Sequence, residues 1–137
     1  MSEKAVMALS PEDVQLALRT RYPYGHPNFI PTILEQVELH NNKNHDYARG
    51  GDSLGNFKRV AAILAAYWPE VFGGEKGPAV LAFIYALKQV DAEGWQYAQG
   101  GESKVEGVEG RLMDQAVYAN IRLCMHKPAR PPLKLRT

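Results

Sequence analysis

Apolar residues recur along most of this chain at intervals of three and four positions, the spacing that places side chains on one face of an α-helix. No stretch shows the strict alternation of apolar and polar residues that is typical of a half-buried strand. We therefore predict an all-α, bundle-like protein with five helices and no sheet. The five helices are expected to begin near Pro11, after Pro31, after Asp52, after Pro78 and near Ser103.

The predicted fourth helix, residues 79–93, is apolar nearly all round, so we expect it to be the most buried segment of the chain. Lys88 is unexpected in such a helix. It could bind a phosphate in a cavity between helices, or it could extend to solvent and pair with Asp91. The fourth and fifth helices are apolar on most sides, and a short chain has few other helices to cover them. We therefore expect a homodimer or a larger homo-oligomer.

The predicted fifth helix carries acidic residues within an otherwise apolar pattern. One apolar stripe consists of Met113, Val117 and Ile121, and Glu106 and Asp114 lie in or beside it. A buried carboxylate is costly unless a lysine, an arginine or a metal ion meets it. In a simpler alternative, Glu106 completes a capping box whose cap is Ser103, and Asp114 is exposed.

The end of the predicted second helix is rich in hydrogen-bonding side chains, in the run Asn41-Asn42-Lys43-Asn44-His45-Asp46-Tyr47. This run suits a nucleoside or phosphate ligand, and it is equally typical of a frayed helix end. His40 and His45 lack the spacing of a helical metal pair. The aromatic residues of the segment 21–31 have no interleaved basic patch, so we expect them to cover the core rather than to stack on bases.

Composition narrows the class of protein. The chain has 137 residues, of which 45% are apolar, and we predict one domain over residues 1–126 and a basic, Pro-rich, extended tail over residues 127–137. A formal net charge of +1 gives no general attraction to nucleic acid, which is therefore not indicated as a partner. The single cysteine, Cys124, and the lack of a long apolar run favour a soluble, cytoplasmic protein with no membrane contact.

Four short motifs follow one another between about residues 40 and 121: Lys43-Asn-His-Asp46-Tyr47, Asn56-Phe57-Lys-Arg59, Lys88, and the run from Glu106 to Tyr118. In this order they resemble the small phage and bacterial proteins called nucleotide modification associated domain 1, and a related uncharacterised phage family. The resemblance implies an all-α protein of nucleotide metabolism or DNA-base modification, located in the host cytoplasm if a phage encodes it. The chain is also distantly similar to the all-α nucleoside triphosphate pyrophosphohydrolases, which hold Mg²⁺ with helix-borne carboxylates.

The resemblance implies two groups of site residues. A ligand-binding group consists of Lys43, Asp46, Tyr47, Asn56, Lys88 and Tyr118, and a Mg²⁺-binding group consists of Glu106, Glu109 and Asp114. We predict that these residues converge on one pocket for a nucleotide phosphate. Burying the charge of Lys88 or of Asp114 near the core would be costly without a partner, and a shared pocket provides one. The chain departs from the family pattern at Gly110, where an acid is expected, and no catalytic residue is assigned.

Two functions are compatible with these residues. The first is a Mg²⁺-dependent nucleotide-processing enzyme, or an accessory of one, which needs a cluster of carboxylates that holds the metal. The second is a non-catalytic nucleotide binder, for example an anti-defence protein that sequesters a nucleotide signal of the host. This second function needs only a cation, an amide and an aromatic ring that converge on a pocket.

Overall fold

The computed structural model describes residues 2–48, 51–100 and 102–131, and every regular element in these ranges is an α-helix. The helices are α1 (Glu3–Met7), α2 (Pro11–Arg21), α3 (Phe29–Tyr47), α4 (Gly55–Ala65), α5 (Pro69–Phe72), α6 (Gly77–Ala98) and α7 (Val108–His126). The all-α prediction is confirmed, whereas the predicted number of five helices is wrong, since these ranges contain seven. None of these helices is long and apolar enough to cross a membrane.

The two helices that the sequence did not predict, α1 and α5, are only 5 and 4 residues long. At the start of α1, the side chain of Ser2 accepts a hydrogen bond from the backbone N–H of Ala5. In α5, Pro69 occupies the first turn, and the helix ends before Gly73. A proline starts a helix well, because its φ is already helical and the first turn needs no N–H donor there.

Predicted and observed helix ends differ most between α6 and α7. Helix α6 continues through Gly94 to Ala98, beyond the end at residue 93 that the sequence predicted. One helical glycine costs only about 1 kcal/mol relative to alanine, which a long packed helix tolerates. Helix α7 begins at Val108 with Gly107 as its N-cap, so the predicted capping box of Ser103 and Glu106 is wrong. Ser103 instead accepts a hydrogen bond from the backbone N–H of Glu106, 3.1 Å away, before the helix begins.

The chain divides into two compact units, one formed by Met1–Glu38 with Ala129–Thr137 and the other by Leu39–Pro128. The first unit holds α1, α2 and the first part of α3. The second holds the end of α3 and all of α4 to α7. The single domain over residues 1–126 stays a prediction. Of the predicted tail, residues 128–131 are non-helical and exposed, and residues 132–137 lie outside the described residues.

In the first unit, α2 begins where the sequence predicted. Ser10 accepts a hydrogen bond from the backbone N–H of Asp13, whose carboxylate in turn accepts from the backbone N–H of Ser10. The prediction that aromatic residues of the segment 21–31 cover the core is wrong, because Tyr24 is fully exposed and Phe29 is 63% exposed. Phe29 is the first residue of α3 rather than part of a loop.

Helix α6 is the centre of the second unit and packs most extensively against α7, and also against α4 and α5. The core comprises Phe57, Phe72, Leu81, Ala82, Val117 and Ile121. The prediction of a buried central helix is confirmed for one face of α6 only. On its other side, Phe83, Ile84, Leu87 and Val90 are between 41% and 48% exposed.

Candidate functional site

A cavity of about 320 Å³ lies in the second unit, between the end of α3, the start of α4, α6 and α7. Its lining consists of His40, Lys43, Asn44, Tyr47, Asn56, Phe57, Tyr85, Asp114, Val117, Tyr118 and Ile121. Five of the nine residues predicted for the two groups are among them, namely Lys43, Tyr47, Asn56, Asp114 and Tyr118. The structure therefore brings together most of the predicted ligand-binding residues and one of the three predicted metal ligands.

Helical spacing explains why α3 contributes four residues to the cavity. His40, Lys43, Asn44 and Tyr47 are three and four positions apart and so share one face of the helix. The helix remains regular as far as Tyr47, so the polar run 41–47 is not a frayed end. The guanidinium of Arg59 in α4 donates a hydrogen bond to the carbonyl of Tyr47 over 2.9 Å, which satisfies a carbonyl at the end of α3.

Asp114 is the buried carboxylate that the sequence pattern predicted. Its residue is 8% exposed, and one of its oxygens lies 2.6 Å from the ammonium of Lys43. The other oxygen accepts a hydrogen bond of 2.9 Å from the amide of Gln89. The requirement for a cation beside Asp114 is therefore met, and the cation is Lys43 of α3 rather than Lys88 of α6.

The sequence prediction missed two residues that hold Asp114 in place. Gln89 contacts Asp114 directly, and Arg111 contacts Gln89. Arg111 donates a hydrogen bond of 2.8 Å to the amide oxygen of Gln89, which leaves the amide nitrogen of Gln89 to face Asp114. Arg111 is itself paired with Glu106 over 2.8 Å. A signal for Gln89 was present in the sequence, because it lies three positions after Ala86 on the buried face of α6.

The predicted metal ligands do not form one cluster. Glu106 is paired with Arg111, Asp114 with Lys43, and Glu109 is exposed on the first turn of α7. In the described ranges, no group of three or more His, Cys, Asp or Glu residues is placed to hold a metal ion. A Cβ at Gly110 would lie 2.8 Å from the Cγ of Glu106, so the Glu106 side chain occupies the space where the family pattern has its acid. As the structure places them, these three donors do not form one Mg²⁺ site, and Mg²⁺ binding stays a prediction.

Two further predicted ligand residues lie outside the cavity lining. The side chain of Asp46 is 77% exposed, and its carboxylate lies 3.2 Å from the ring Nδ1 of His45.

Lys88 is exposed and forms no ion pair with any residue that the structure describes, including Asp91. Since residue 89 points into the core, the preceding position is turned about 100° away from it, and the prediction that Lys88 and Asp114 share a pocket is not met.

An aromatic cluster forms part of the cavity lining. The ring of Tyr118 lies 5.9 Å from that of Tyr85 and 6.4 Å from that of Phe57, in edge-on arrangements. Burial raises the pKa of the Tyr118 hydroxyl, and the nearby Asp114 carboxylate raises it further. The hydroxyl is therefore protonated at neutral pH and available as a hydrogen-bond donor.

His40 and Asn44 form a second polar part of the lining. The amide nitrogen of Asn44 lies 3.1 Å from Nε2 of His40. An amide nitrogen can only donate, so in this orientation of the Asn44 amide the ring nitrogen is the acceptor. The cavity thus combines aromatic rings, neutral hydrogen-bonding groups and one ammonium–carboxylate pair, which together suit a planar, polar ligand.

Comparisons of the chain with protein-family models, with curated proteins and with solved structures find no match. The resemblance to nucleotide modification associated domain 1 therefore stays a prediction. The assignment of a function depends on the cavity itself.

Proposed function

We propose that this protein is a non-catalytic nucleotide binder whose site is the cavity between α3, α4, α6 and α7. The observation that carries the proposal is the lining of that cavity, in which aromatic rings, amide groups and the Lys43–Asp114 pair face one space. Aromatic rings stack on nucleobases, side-chain amides pair with base edges, and an ammonium can meet a phosphate. The volume of about 320 Å³ is at the lower end of the range of roughly 300–1,000 Å³ that is typical of small-molecule sites.

The arrangement of the acidic residues favours binding over hydrolysis. A Mg²⁺-dependent nucleotide hydrolase presents carboxylates that are free to hold the metal beside the phosphates. Here Glu106 and Asp114 each meet a cation of the protein within 2.8 Å. A binder that does not cleave its ligand would act by sequestration. An anti-defence protein that sequesters a nucleotide signal of the host would act in this way.

Isothermal titration calorimetry with a panel of nucleosides and nucleotides, with and without Mg²⁺, tests the proposal. We expect saturable binding of at least one member of the panel without Mg²⁺, and recovery of that ligand unchanged after incubation with the protein. Mg²⁺-dependent product formation would instead support the enzyme. Absence of binding across the panel would overturn nucleotide binding altogether.

Two lysines provide a matched pair of variants for this titration. Lys43 lines the cavity, whereas Lys88 is exposed and does not. We expect Lys43→Ala to weaken nucleotide binding and Lys88→Ala to leave it unchanged. The reverse result would restore Lys88 as the phosphate-binding residue that the sequence predicted.

We also propose that the protein acts as a homo-oligomer in the cytoplasm, the host cytoplasm if a phage encodes it. Support for the oligomer comes from Phe83, Leu87 and Val90, which form one stripe of α6 and are each more than 40% exposed. Contiguous apolar surface of this kind is typical of protein–protein contacts. The location follows only from the lone cysteine and from the family resemblance.

A further inference from the structure

The described lining of the cavity contains one cation and one anion, and they neutralise each other. Lys43 and Asp114 lie 2.6 Å apart, and the amide of Gln89 holds the second carboxylate oxygen. His40, which the formal charge at pH 7 counts as neutral, lies within hydrogen-bond distance of Asn44. The remaining lining residues carry amides, phenol groups or hydrocarbon. The described lining therefore offers a ligand no net positive charge.

The cations next to the cavity are also engaged. Arg59 donates to the carbonyl of Tyr47, and Arg111 is shared between Gln89 and Glu106. A polyphosphate carries several negative charges and is normally met by several cations or by aligned backbone N–H groups. A phosphate placed at Lys43 would also lie close to the Asp114 carboxylate, which repels it.

We infer that the cavity selects nucleosides and nucleoside monophosphates over nucleoside diphosphates and triphosphates. The Lys43–Asp114 pair produces this preference, because the carboxylate cancels the positive charge of the ammonium that a polyphosphate would need. Most of the affinity then comes from the aromatic and amide groups of the lining, and Lys43 contributes a single ammonium. This inference rests on the proposed function, since it names the class of nucleotide that the site takes.

The test is a titration of the full chain with the nucleoside, monophosphate, diphosphate and triphosphate of whichever base binds best. We expect the nucleoside and the monophosphate to bind more tightly than the diphosphate and the triphosphate, with little dependence on salt. A triphosphate that binds as tightly as the monophosphate, or more tightly, would overturn the inference and leave nucleotide binding intact. Failure of all four ligands would overturn the proposed function itself.

Asp114→Asn tests the cause of the selection. Removal of the carboxylate leaves the Lys43 ammonium without its counter-charge, so the triphosphate-to-nucleoside affinity ratio should rise by about tenfold or more. Asp52→Asn is the matched control, because it removes the same charge from the exposed pair with Lys58, away from the cavity lining. An equal ratio in both variants would overturn the role of Asp114. If Asp114→Asn does not fold, the series with the unaltered chain decides the inference.

Discussion

At the scale of single residues, Asp114 is a buried carboxylate around which several polar side chains are arranged. A buried carboxylate keeps its charge only if the groups around it replace the water that it lost. Here the replacements are the Lys43 ammonium and the Gln89 amide. Arg111 fixes the orientation of that amide, and Glu106 holds Arg111. Three side chains from α3, α6 and α7, and the Glu106 side chain from the segment before α7, are therefore arranged around the charge of Asp114.

Removal of Lys43 should cost more stability than removal of an exposed lysine of the same type. We expect Lys43→Met to lower the free energy of unfolding by about 1–3 kcal/mol, because it leaves the Asp114 carboxylate buried with one partner fewer. Adding Asp114→Asn to Lys43→Met should cost less than the sum of the two single changes, since they disrupt the same pair. Urea-induced unfolding of the three variants measures both quantities.

Lys58→Met is the control for this cycle. Its partner Asp52 is about half exposed, so water replaces the lost ammonium and stability should change little. A loss for Lys43→Met no larger than that for Lys58→Met would show that the buried pair is not a stabilising feature.

The same residues show how far the sequence could lead. The helical spacing of Asp114, Val117 and Ile121 predicted that the acid lies on the core face of a helix, and all three residues are buried. The pattern could not choose the cation, because Lys43 lies 71 positions away and only the packing of α3 against the cavity brings it close. Lys88 seemed suitable from its apolar neighbours. However, α6 buries only one face, and Lys88 is not on it.

At the scale of elements, two glycines of α6 have opposite effects. Gly77 precedes the predicted helix 79–93 and Gly94 follows it, so the sequence pattern placed both outside a helix that contains both. A Cβ at Gly77 would collide with the carbonyl oxygen of Phe72, so the turn between α5 and α6 closes only without a side chain there. A Cβ at Gly94 would meet nothing within 4 Å, and α6 runs through it. The difference depends on which backbone passes nearby, and a local sequence pattern does not contain that information.

Alanine substitutions at these two glycines should change stability in opposite directions. Gly77→Ala should destabilise the protein by about 1–3 kcal/mol, because the backbone of α5 must move to relieve the contact. Gly94→Ala should stabilise it by up to about 1 kcal/mol, because alanine favours the helix and no contact opposes it. Thermal and urea denaturation measure the change in stability of each variant. The two variants are comparable because each adds one methyl group to the same helix. Changes of the same sign would contradict this account of the α5–α6 turn.

At the scale of the whole molecule, α6 has two different sides. One side supplies Leu81, Ala82 and Gln89 to the buried interior of the second unit. The other presents a stripe of Phe83, Leu87 and Val90, and there the guanidinium of Arg122 lies 5.0 Å from the centre of the Phe83 ring. The long side chain of arginine covers part of an aromatic surface while its charge remains in water. The rest of the stripe is apolar surface that another copy of the chain would bury.

We expect light scattering coupled to size-exclusion chromatography, at micromolar concentration, to give a mass of two or more chains. Leu87→Glu should shift this mass to that of one chain, because a carboxylate in the centre of the stripe would be desolvated at the interface. Ile63→Glu is the matched control, since Ile63 is a 62% exposed aliphatic residue of α4 and lies outside the stripe. Its mass should remain that of the unaltered chain. A mass of one chain for the unaltered protein, or equal effects of the two substitutions, would show that the stripe on α6 is not a self-association surface.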